Sequence, residues 1–368
     1  MANNRFENEL IAEGAYELSK EKVYKFVRDL PKCTDALEEK RRNPEKRVLH
    51  DAETIPLDKR QDLLRAIFEA NDKPLGEQEH IDVYNPAILV GPNGVEFLGR
   101  AEGRKTPFST LIVHFPFSDG DWLPKDDFAL PLEDPAIAVI GGEIVAAGVE
   151  LNRDLRTASA GWKTLFYKGK SLHDLKKLDE EGPPGMKDIR FEELKILRKG
   201  VAVYTRPHTV KGGLEGQIGF TTIDSLDDLS TKVIEDAPLI NARFPEGEWG
   251  GVNQAQELSD GRIFGLGHRA YRDKVVQVPG KKDKKGARHY VPWAFIHNPV
   301  TGEFIDLGIL AESSDFPPGV AKAWDLRDVL FSAGFILDQK NNSLTLFVGT
   351  RDTGVGKIVI ENFKIPPK

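Results

Sequence analysis

The stretch that decides the fold is Ala87-Ile88-Leu89-Val90-Gly91-Pro92-Asn93-Gly94, a short apolar run followed directly by four turn-forming residues. Short apolar runs bounded by Gly, Pro and Asn are typical of β-strands joined by tight turns. The same alternation of run and turn continues from His80 towards the end of the chain. Further apolar runs lie at residues 111–115, 137–140, 201–204, 263–266, 293–296 and 344–348.

Many short strands at regular intervals predict an all-β sandwich, barrel or propeller. The β-pattern is long for a sandwich and suits a propeller of roughly five four-stranded blades at ~50 residues each. The blades are not visible as sequence repeats, so this prediction depends on strand spacing. We therefore predict an all-β fold in which residues 76–368 form one five-bladed β-propeller domain.

Residues 1–75 show helical rather than strand spacing, and we predict a helical N-terminal extension there. Helices are predicted at residues 13–30 and 57–71. An exposed apolar stripe on a lone helix is unfavourable, so the extension is expected either to cover the main domain or to form a homo-oligomer contact. The stripe of the second helix consists of Leu63, Leu64, Ile67 and Phe68.

The composition fits a soluble globular protein, since 40% of the 368 residues are hydrophobic and 30% are charged. A net charge of −7 argues against a nucleic-acid partner, which usually requires a basic face. No window approaches the ~18 apolar residues of a membrane helix. The N-terminus lacks the apolar core of a secretory signal, so we expect a cytoplasmic protein. Cys33 is the only cysteine and no His-x-x-x-His spacing occurs, so neither a metal nor a cofactor is expected.

The motif Leu132-Glu133-Asp134-Pro135 places two adjacent carboxylates before an apolar strand. Pro135 disfavours a helical conformation at Asp134 and predicts an extended backbone there. Neighbouring side chains of an extended segment point to opposite faces, so Glu133 and Asp134 are expected to have different roles. One would be a buried acceptor and the other a catalytic acid in a cleft. Two solvated acids at the start of a strand are the alternative.

Other polar residues cluster near the predicted strand ends. Arg100, Glu102 and Arg104 fall on one face of a strand because side chains alternate with a period of two. Each cluster alone has a structural explanation, such as an ion pair, a buried histidine, a core tryptophan or a turn cap. Together they indicate loops that converge on one pocket. The further clusters are Asp82-Val83-Tyr84-Asn85-Pro86, Thr205-Arg206-Pro207-His208, Trp249-Gly250-Gly251-Val252-Asn253-Gln254-Ala255, Gly267-His268-Arg269-Ala270, Asp328-Val329-Leu330-Phe331 and Gly349-Thr350-Arg351-Asp352.

As an ordered set, these motifs resemble a five-bladed propeller family that was catalogued as a domain of unknown function and is grouped with the β-1,2-mannosyltransferase/phosphorylases. That family is related in fold to the β-mannoside phosphorylase family. The resemblance runs from about Asp82 to Pro366. It departs at Gln254, where a Glu is expected, and at Arg269, where a smaller apolar residue is usual. Donor and acceptor preference is therefore left open.

The resemblance implies inverting phosphorolysis of β-1,2-linked mannosides to mannose 1-phosphate, together with the reverse synthesis or transfer. The expected partners are a β-mannoside oligosaccharide and inorganic phosphate as co-substrate, or mannose 1-phosphate. Use of a nucleotide-sugar donor is left open. A phosphorylase needs only one acid, because phosphate is itself the nucleophile, and arginine forks suit the cationic cradle that binds it.

The resemblance also implies roles for single residues. Asp134 would be the general acid, which in related phosphorylases is thought to act through a sugar hydroxyl. Arg206 and His268 would hold phosphate, with His208 and Lys163 as further candidate cations. The candidate sugar contacts are Asn85, Arg100, Glu102, Arg104, Trp249, Asn253, Asp328 and Asp352, with Trp162 as an alternative sugar face.

Two other functions remain open from the sequence. An inverting β-mannosidase on the same propeller would need a second carboxylate ~6.5–9.5 Å from the acid to activate water. Its candidates are Glu102, Asp328 and Asp352. A non-catalytic carbohydrate-binding propeller is the other alternative, and its sugar binding would survive the loss of Asp134.

Overall fold

The structure, a computed structural model, describes residues 48–49, 53–55, 60–91, 94–106, 109–118, 121–151, 161–207, 216–240, 244, 247–273 and 286–368. Within these ranges β-strands dominate, which confirms the all-β prediction. They also contain the α-helices α1 (Gln61–Ala70) and α2 (Thr231–Glu235). No helix in this part of the chain is long and apolar enough to cross a membrane. Single 3₁₀ turns lie at Leu172–Asp174, Leu226–Asp228, Ser313–Asp315 and Trp324–Leu326.

The strands are numbered in chain order. The strands up to residue 181 are β1 (Val48–Leu49), β2 (Glu53–Ile55), β3 (Ile81–Gly91), β4 (Gly94–Gly103), β5 (Thr110–Phe115), β6 (Phe117–Ser118), β7 (Asp121–Trp122), β8 (Lys125–Leu130), β9 (Glu133–Ile140), β10 (Glu143–Leu151), β11 (Trp162–Gly169) and β12 (Lys176–Glu181). The later strands are β13 (Arg190–Leu194), β14 (Gly200–Thr205), β15 (Gly219–Ile223), β16 (Glu248–Glu257), β17 (Ile263–Arg272), β18 (Arg288–His297), β19 (Phe304–Ile309), β20 (Asp328–Asp338), β21 (Ser343–Thr350) and β22 (Gly354–Glu361).

The strands form successive antiparallel meanders. The first three sheets have the orders β3-β4-β5-β8, β9-β10-β11-β12 and β13-β14-β15, and β6 pairs with β7. A fourth meander, β16-β17-β18-β19, joins the fifth, β20-β21-β22, through a short parallel pairing of His289 with Asp328 and of Tyr290 with Val329. The first strand of each meander contacts the first strand of the next, and β20 contacts β3. The leading strands therefore lie side by side at the centre of the molecule.

The N-terminal segment contributes to this β-structure. Strands β1 and β2 both pair antiparallel with β22, although they lie in the range predicted to be helical. The predicted second helix is observed as α1, whereas residues 13–30 lie outside the described residues. Leu64, Ile67 and Phe68 of α1 are buried against the first and last meanders, while Leu63 is 49% exposed and lies off the buried stripe. The proposed boundary at residue 75 stays a prediction.

Several leading strands carry a bulge at a similar place. Asn85 and Pro86 are unpaired within β3, and Asp134 and Pro135 are unpaired within β9. Asn85 has φ 51° and Asp134 has φ 47°, so both lie in the left-handed region that Asn and Asp tolerate better than most residues. The predicted extended backbone at Asp134 is therefore wrong, because proline restricts the preceding residue but does not prevent a left-handed bulge.

Candidate functional site

Arg100 forms ion pairs with three carboxylates at the centre of the molecule. Its Nη2 lies 2.8 Å from Glu102 Oε2 and 2.7 Å from Glu133 Oε1, and its Nη1 lies 3.0 Å from Asp134 Oδ1. The strand alternation that placed Arg100 and Glu102 on one face is confirmed. Glu133 and Asp134 do not separate to opposite faces as predicted, since the bulge turns both carboxylates towards the same guanidinium.

Asp134 has a second set of partners on its other side. Asn85 Nδ2 donates to Asp134 Oδ1 over 3.2 Å, and Lys187 Nζ lies 3.3 Å from Asp134 Oδ2. Burial alone would raise the pKa of Asp134, but Lys187 and Arg100 outweigh burial and hold this pKa well below its usual range. Asp134 is therefore a carboxylate in the resting site.

Glu133 has the opposite tendency. Burial raises the pKa of Glu133 to about 7, Arg100 opposes the rise, and the neighbouring Asp134 and Glu102 charges add to it. Two adjacent carboxyls whose pKa values are pushed apart are a frequent feature of acid–base sites. Here the proton is more stable on Glu133 than on Asp134.

Lys322 enters the same cluster from the irregular segment between β19 and β20. Its Nζ lies 2.6 Å from Glu102 Oε2 and donates to Tyr84 Oη over 3.2 Å. Tyr84 in turn donates to Glu102. Asp352, in a turn with φ 55°, lies close enough for Arg100 and Lys322 to lower its pKa, although burial raises that pKa overall.

The charges of this cluster do not balance. Its four acids outnumber its three bases, so the largely buried cluster is expected to retain about one proton near neutral pH, because uncompensated buried charge is costly. We call these residues the acid half of the site. The acid half consists of Glu102, Glu133, Asp134 and Asp352 with Arg100, Lys187 and Lys322.

A second group, the cation half, lies on the other side of Lys187 and consists of Asp188, Arg190, Arg206, Asn253 and His268. Arg206 Nη1 lies 2.9 Å from Asp188 Oδ2, and its Nε donates to the Gly250 carbonyl over 2.8 Å. Arg190 Nη2 lies 3.3 Å from Asp188 Oδ1, and its Nε donates to the Asn253 carbonyl. Burial would raise the pKa of Asp188, but Arg206 and Lys187 hold it below its usual value. Two buried arginines thus share one carboxylate.

His268 belongs to the cation half but does not carry a charge. Burial and the nearby Arg206 lower the pKa of His268 to about 3, so its ring is neutral rather than cationic. A role for His268 at the phosphate stays a prediction. Its Nδ1 lies 2.8 Å from Asn253 Oδ1, which also accepts from Ser332 Oγ. Asn253 Nδ2 is buried and has no hydrogen-bond partner in the described part of the chain. The amide can therefore donate to a ligand.

Some predicted sugar contacts lie at the edge of this site. Arg104 pairs with the buried Asp82. Trp249 is buried and donates its indole N–H to Tyr290 Oη over 3.0 Å, so it is not an open sugar face. Asp328 is exposed and lies 2.6 Å from His289 Nδ1, outside the contacts of Arg100 and Lys187.

One predicted phosphate ligand lies away from the site, and another is not among the described residues. Lys163 lies on β11 and pairs with Glu181 and Glu150, because its strand is the third of its meander rather than a leading strand. His208 lies outside the described residues. Trp162, the alternative sugar face, is half-buried, and its indole N–H has no partner within the described ranges.

The sequence analysis missed Lys187, Asp188, Arg190 and Lys322. A usable signal existed for the first three, since Lys187-Asp188-Ile189-Arg190 is a charged segment at the start of a leading strand, as Glu133-Asp134 is. The two bulges also have similar sequences, since an Asn or Asp is followed by Pro and Ala in both. These segments are Tyr84-Asn85-Pro86-Ala87 and Glu133-Asp134-Pro135-Ala136. Nothing local marks Lys322. Among the described residues no group of His, Cys, Asp and Glu has the arrangement of a metal site.

The fold and site define an all-β protein whose leading strands bring a carboxylate-rich and an arginine-rich group together. The chain belongs to the DUF1861 family, described as a protein family of unknown function, whose profile matches residues 65–364. This match confirms the predicted family resemblance. A comparison with curated proteins gave no match.

Solved structures with similar folds agree with this assignment. A mannose phosphorylase from Leishmania mexicana, solved with a phosphate ion, is 28% identical with a TM-score of 0.67, over 83% of this chain and 93% of that one. A GDP-Man-dependent mannosyltransferase from the same organism is 27% identical with a TM-score of 0.69, over 88% and 94%. A β-1,2-mannobiose phosphorylase from Listeria innocua, 14% identical with a TM-score of 0.52 over 79% and 92%, shares the fold.

Proposed function

We propose that the chain is an inverting mannoside phosphorylase with associated synthetic or transfer activity, acting on β-1,2-linked mannosides and forming mannose 1-phosphate. The observation that carries the proposal is the position of Asp134 where the acid half adjoins the cation half, in contact with Arg100 and with Lys187, which lies near Asp188 and Arg206. The similarity to a mannose phosphorylase and a mannosyltransferase supports the choice of sugar and reaction.

We propose a five-bladed propeller as the scaffold. The contacts among leading strands form a ring in the order β3, β9, β13, β16, β20 and back to β3. In this arrangement each meander is one blade, and β1 and β2 add outer strands to the last blade. Pairing of an N-terminal strand with the last blade would close the ring, because it ties the two ends of the β-region together.

The cation half suits phosphate. Arg206 and Arg190 exceed Asp188 by one positive charge. Lys187, which belongs to the acid half, lies next to this group, and its side chain is 37% exposed. The buried amide of Asn253 can supply a further N–H group. The neutral His268 ring has a single N–H, which it donates from Nδ1 to Asn253 Oδ1, so His268 holds this amide in place. Arginine and charge-assisted contacts are strong ligands for phosphate oxygens.

In phosphorolysis, a phosphate oxygen would attack the anomeric carbon while the glycosidic C–O bond breaks. The leaving sugar oxygen would take a proton that originates from the Asp134 carboxyl, passed through a sugar hydroxyl, and inversion would give the α-anomer of mannose 1-phosphate. In the reverse direction the Asp134 carboxylate would accept the proton of the acceptor hydroxyl. The resting protonation state of Asp134 therefore fits the synthetic or transfer direction directly.

Phosphorolysis requires Asp134 to gain a proton. Phosphate that binds Lys187 would draw this cation away from Asp134 and so raise the carboxyl pKa. The proton retained by the acid half, which is most stable on Glu133, is then available nearby. Inorganic phosphate would act as co-substrate, and the chemistry needs no cofactor. We also propose a cytoplasmic location. Use of a nucleotide-sugar donor and formation of a homo-oligomer are left open, as they were from the sequence.

Fewer carboxylates could serve as the base of a hydrolase than the sequence suggested. Asp328 pairs with His289 and is exposed, and Glu102 is tied to Arg100, Lys322 and Tyr84. Asp352 remains as a base for water, because burial raises its pKa and its turn faces Arg100.

The test is incubation with β-1,2-mannobiose with and without inorganic phosphate, followed by detection of mannose 1-phosphate. We expect phosphate-dependent release of mannose 1-phosphate, and synthesis of mannobiose from mannose 1-phosphate and mannose. A parallel incubation with GDP-mannose measures use of a nucleotide-sugar donor. Release of free mannose at equal rates with and without phosphate would support the mannosidase. Binding without turnover, unchanged by Asp134→Asn, would support the carbohydrate-binding propeller.

A further inference from the structure

A segment between β19 and β20 lies along the edge of the acid half. We call residues 316–327 the strap. The strap is fastened beside the turn that carries Asp352, since Lys322 N donates to the Arg351 carbonyl over 3.1 Å and Thr353 Oγ1 donates to the Val320 carbonyl over 2.7 Å. The strap and the Asp352 turn therefore form one side of the entrance to the site.

The strap places an indole two residues from a side chain of the acid half. Lys322 reaches into the acid half, where its Nζ lies 2.6 Å from Glu102 Oε2. Two residues span at most ~7 Å, so the backbone of Trp324, which begins a 3₁₀ turn, lies close to that of Lys322. Burial raises the pKa of Asp352, and Arg288, the ion-pair partner of Asp325, is one of the cations that oppose this rise, so this 3₁₀ turn also lies near the Asp352 turn.

Trp324 is exposed, whereas the two residues that follow it make contacts with the rest of the fold. Its side chain is the most exposed of the chain's five tryptophans, all of which are described, with the residue 50% exposed. The next residue, Asp325, lies 3.0 Å from Arg288 Nε and 3.7 Å from Arg272 Nη1, and Leu326 is buried. An exposed indole next to charged groups offers an apolar face with polar groups around it. A sugar ring is complementary, because it has an apolar C–H face and polar hydroxyl groups at its edge.

We propose that Trp324 is a platform for a hexopyranose ring of the substrate chain, beyond the two sugars that flank the reacting bond. The axial C–H groups of one mannose face would pack on the indole, and its hydroxyls would remain near Lys322 and Asp352. This inference rests on the proposed function, because it takes the acid half as the place of the reacting bond. It makes Trp324 a determinant of chain length rather than a catalytic residue.

The experiment compares β-1,2-mannobiose, mannotriose and mannotetraose as substrates of wild type, Trp324→Ala and Trp324→Phe. With Trp324→Ala we expect kcat/KM to fall about tenfold for the longer chains, as loss of one moderate contact gives, and to stay unchanged for mannobiose. Trp324→Phe should recover most of the loss because it keeps an aromatic face. Phe117→Ala, which removes an exposed aromatic ring on β6, is the matched control.

A second readout does not depend on turnover. Titration with mannose, glucose and the mannoside series should change the tryptophan emission of wild type for the longer mannosides, and this change should be absent in Trp324→Ala. Equal chain-length dependence in wild type and Trp324→Ala would overturn the inference while leaving the phosphorylase intact. Absence of mannose 1-phosphate with any substrate would contradict the proposed function. If no saccharide in the panel changed the Trp324 emission, the platform would be refuted as well.

Discussion

The acid half and the cation half of the site have opposite ratios of carboxylates to guanidinium groups. In the acid half three carboxylates contact the single guanidinium of Arg100. In the cation half the guanidinium groups of Arg190 and Arg206 contact the single carboxylate of Asp188. The two halves therefore carry residual charges of opposite sign, and Lys187 of the acid half lies next to the cation half.

The two aspartates show what this difference means for function. Asp134 and Asp188 both have left-handed backbones, with φ 47° and 59°, and both are buried ions with lowered pKa values. Asp188 is fixed between two buried arginines. One of the cations of Asp134 is the partly exposed Lys187, which a bound phosphate can attract away. We infer that Asp134 can change its protonation during a reaction and that Asp188 positions the arginines.

Replacement of Asp134 should have the largest effect. Asp134→Asn keeps the shape but cannot exchange an acidic proton, so turnover should fall by ~10²–10⁴ while mannoside binding persists. Asp188→Asn is the matched variant, and it should mainly lower the melting temperature because it leaves two buried arginines without a carboxylate. Kinetics and thermal unfolding of both variants measure the contrast. Near-wild-type turnover in Asp134→Asn would remove Asp134 from the mechanism.

Replacement of Lys187 tests the junction between the halves. Lys187→Met should raise the phosphate KM by about one to two decades, as loss of a charge-assisted contact of ~1.5–3 kcal/mol would do, with a smaller change in the mannoside KM. Lys163→Met is the control, since Lys163 was also a candidate phosphate ligand but pairs with Glu181 and Glu150. Equal phosphate KM values in wild type and Lys187→Met would show that phosphate does not use this cation.

Much of the fold follows from local sequence, and the exceptions are long-range. Gly91 and Gly94 do join β3 to β4 as the opening turn predicts, and the helix predicted at 57–71 is observed as α1. Strands β1 and β2 were missed because they have two and three residues and depend on pairing with β22, distant in sequence. The left-handed backbone of Asp134 was missed because a bulge is defined by the partner strand as well as by its own residues.

The site was predictable where strand alternation alone places the side chains. Arg100 and Glu102 are neighbours for that reason. Lys322 and Lys187 come from segments whose approach depends on the whole arrangement of sheets, and isolated lysines give no local signal. The neutral state of His268 depends on its burial beside Arg206, which sequence cannot show. Lys163 resembles a phosphate ligand until its place on β11 is known.

Replacement of Glu133 tests the proton retained by the acid half. The pKa of Glu133 is raised to about 7, so the rate of phosphorolysis should decline as pH rises through about 7 and this proton is lost. In Glu133→Gln that decline should disappear and phosphorolysis should be slower at pH 6, because the acids and bases of the cluster then balance. The synthetic direction, which needs the Asp134 carboxylate, should be less affected.

The control for Glu133 is Glu192→Gln. Burial also raises the pKa of Glu192 to about 7, but Glu192 accepts a hydrogen bond from the Glu257 backbone, and the charges that act on it belong to Glu257, Glu193 and Lys195, outside both halves of the site. Its replacement should leave the pH profile of the rate unchanged. If the phosphorolysis rate of Glu133→Gln still declined at alkaline pH, the retained proton would belong to another group. Asp352 would then be the next candidate, because burial raises its pKa as well.

The smallest expected effect is on the pH dependence of stability, to which His289 and His268 contribute with opposite signs. Burial lowers the pKa of His289, but Asp273 and Asp328 outweigh burial and raise this pKa to about 9. A pKa raised above the unfolded value of ~6.5 stabilises the fold fully below that value, and the stabilisation is lost as pH rises through about 9. The pH dependence that His268 gives to stability has the opposite sign, since its lowered pKa stabilises the fold above pH ~6.5 and this contribution is lost on acidification.

We expect the melting temperature of wild type to fall between pH 6.5 and 9, by the equivalent of about 1–2 kcal/mol because Asp328 is half-exposed. His289→Gln should flatten this decline and leave phosphorolysis at pH 7 unchanged. A decline of equal size in the variant would show that the Asp273–His289–Asp328 contacts do not control alkaline stability.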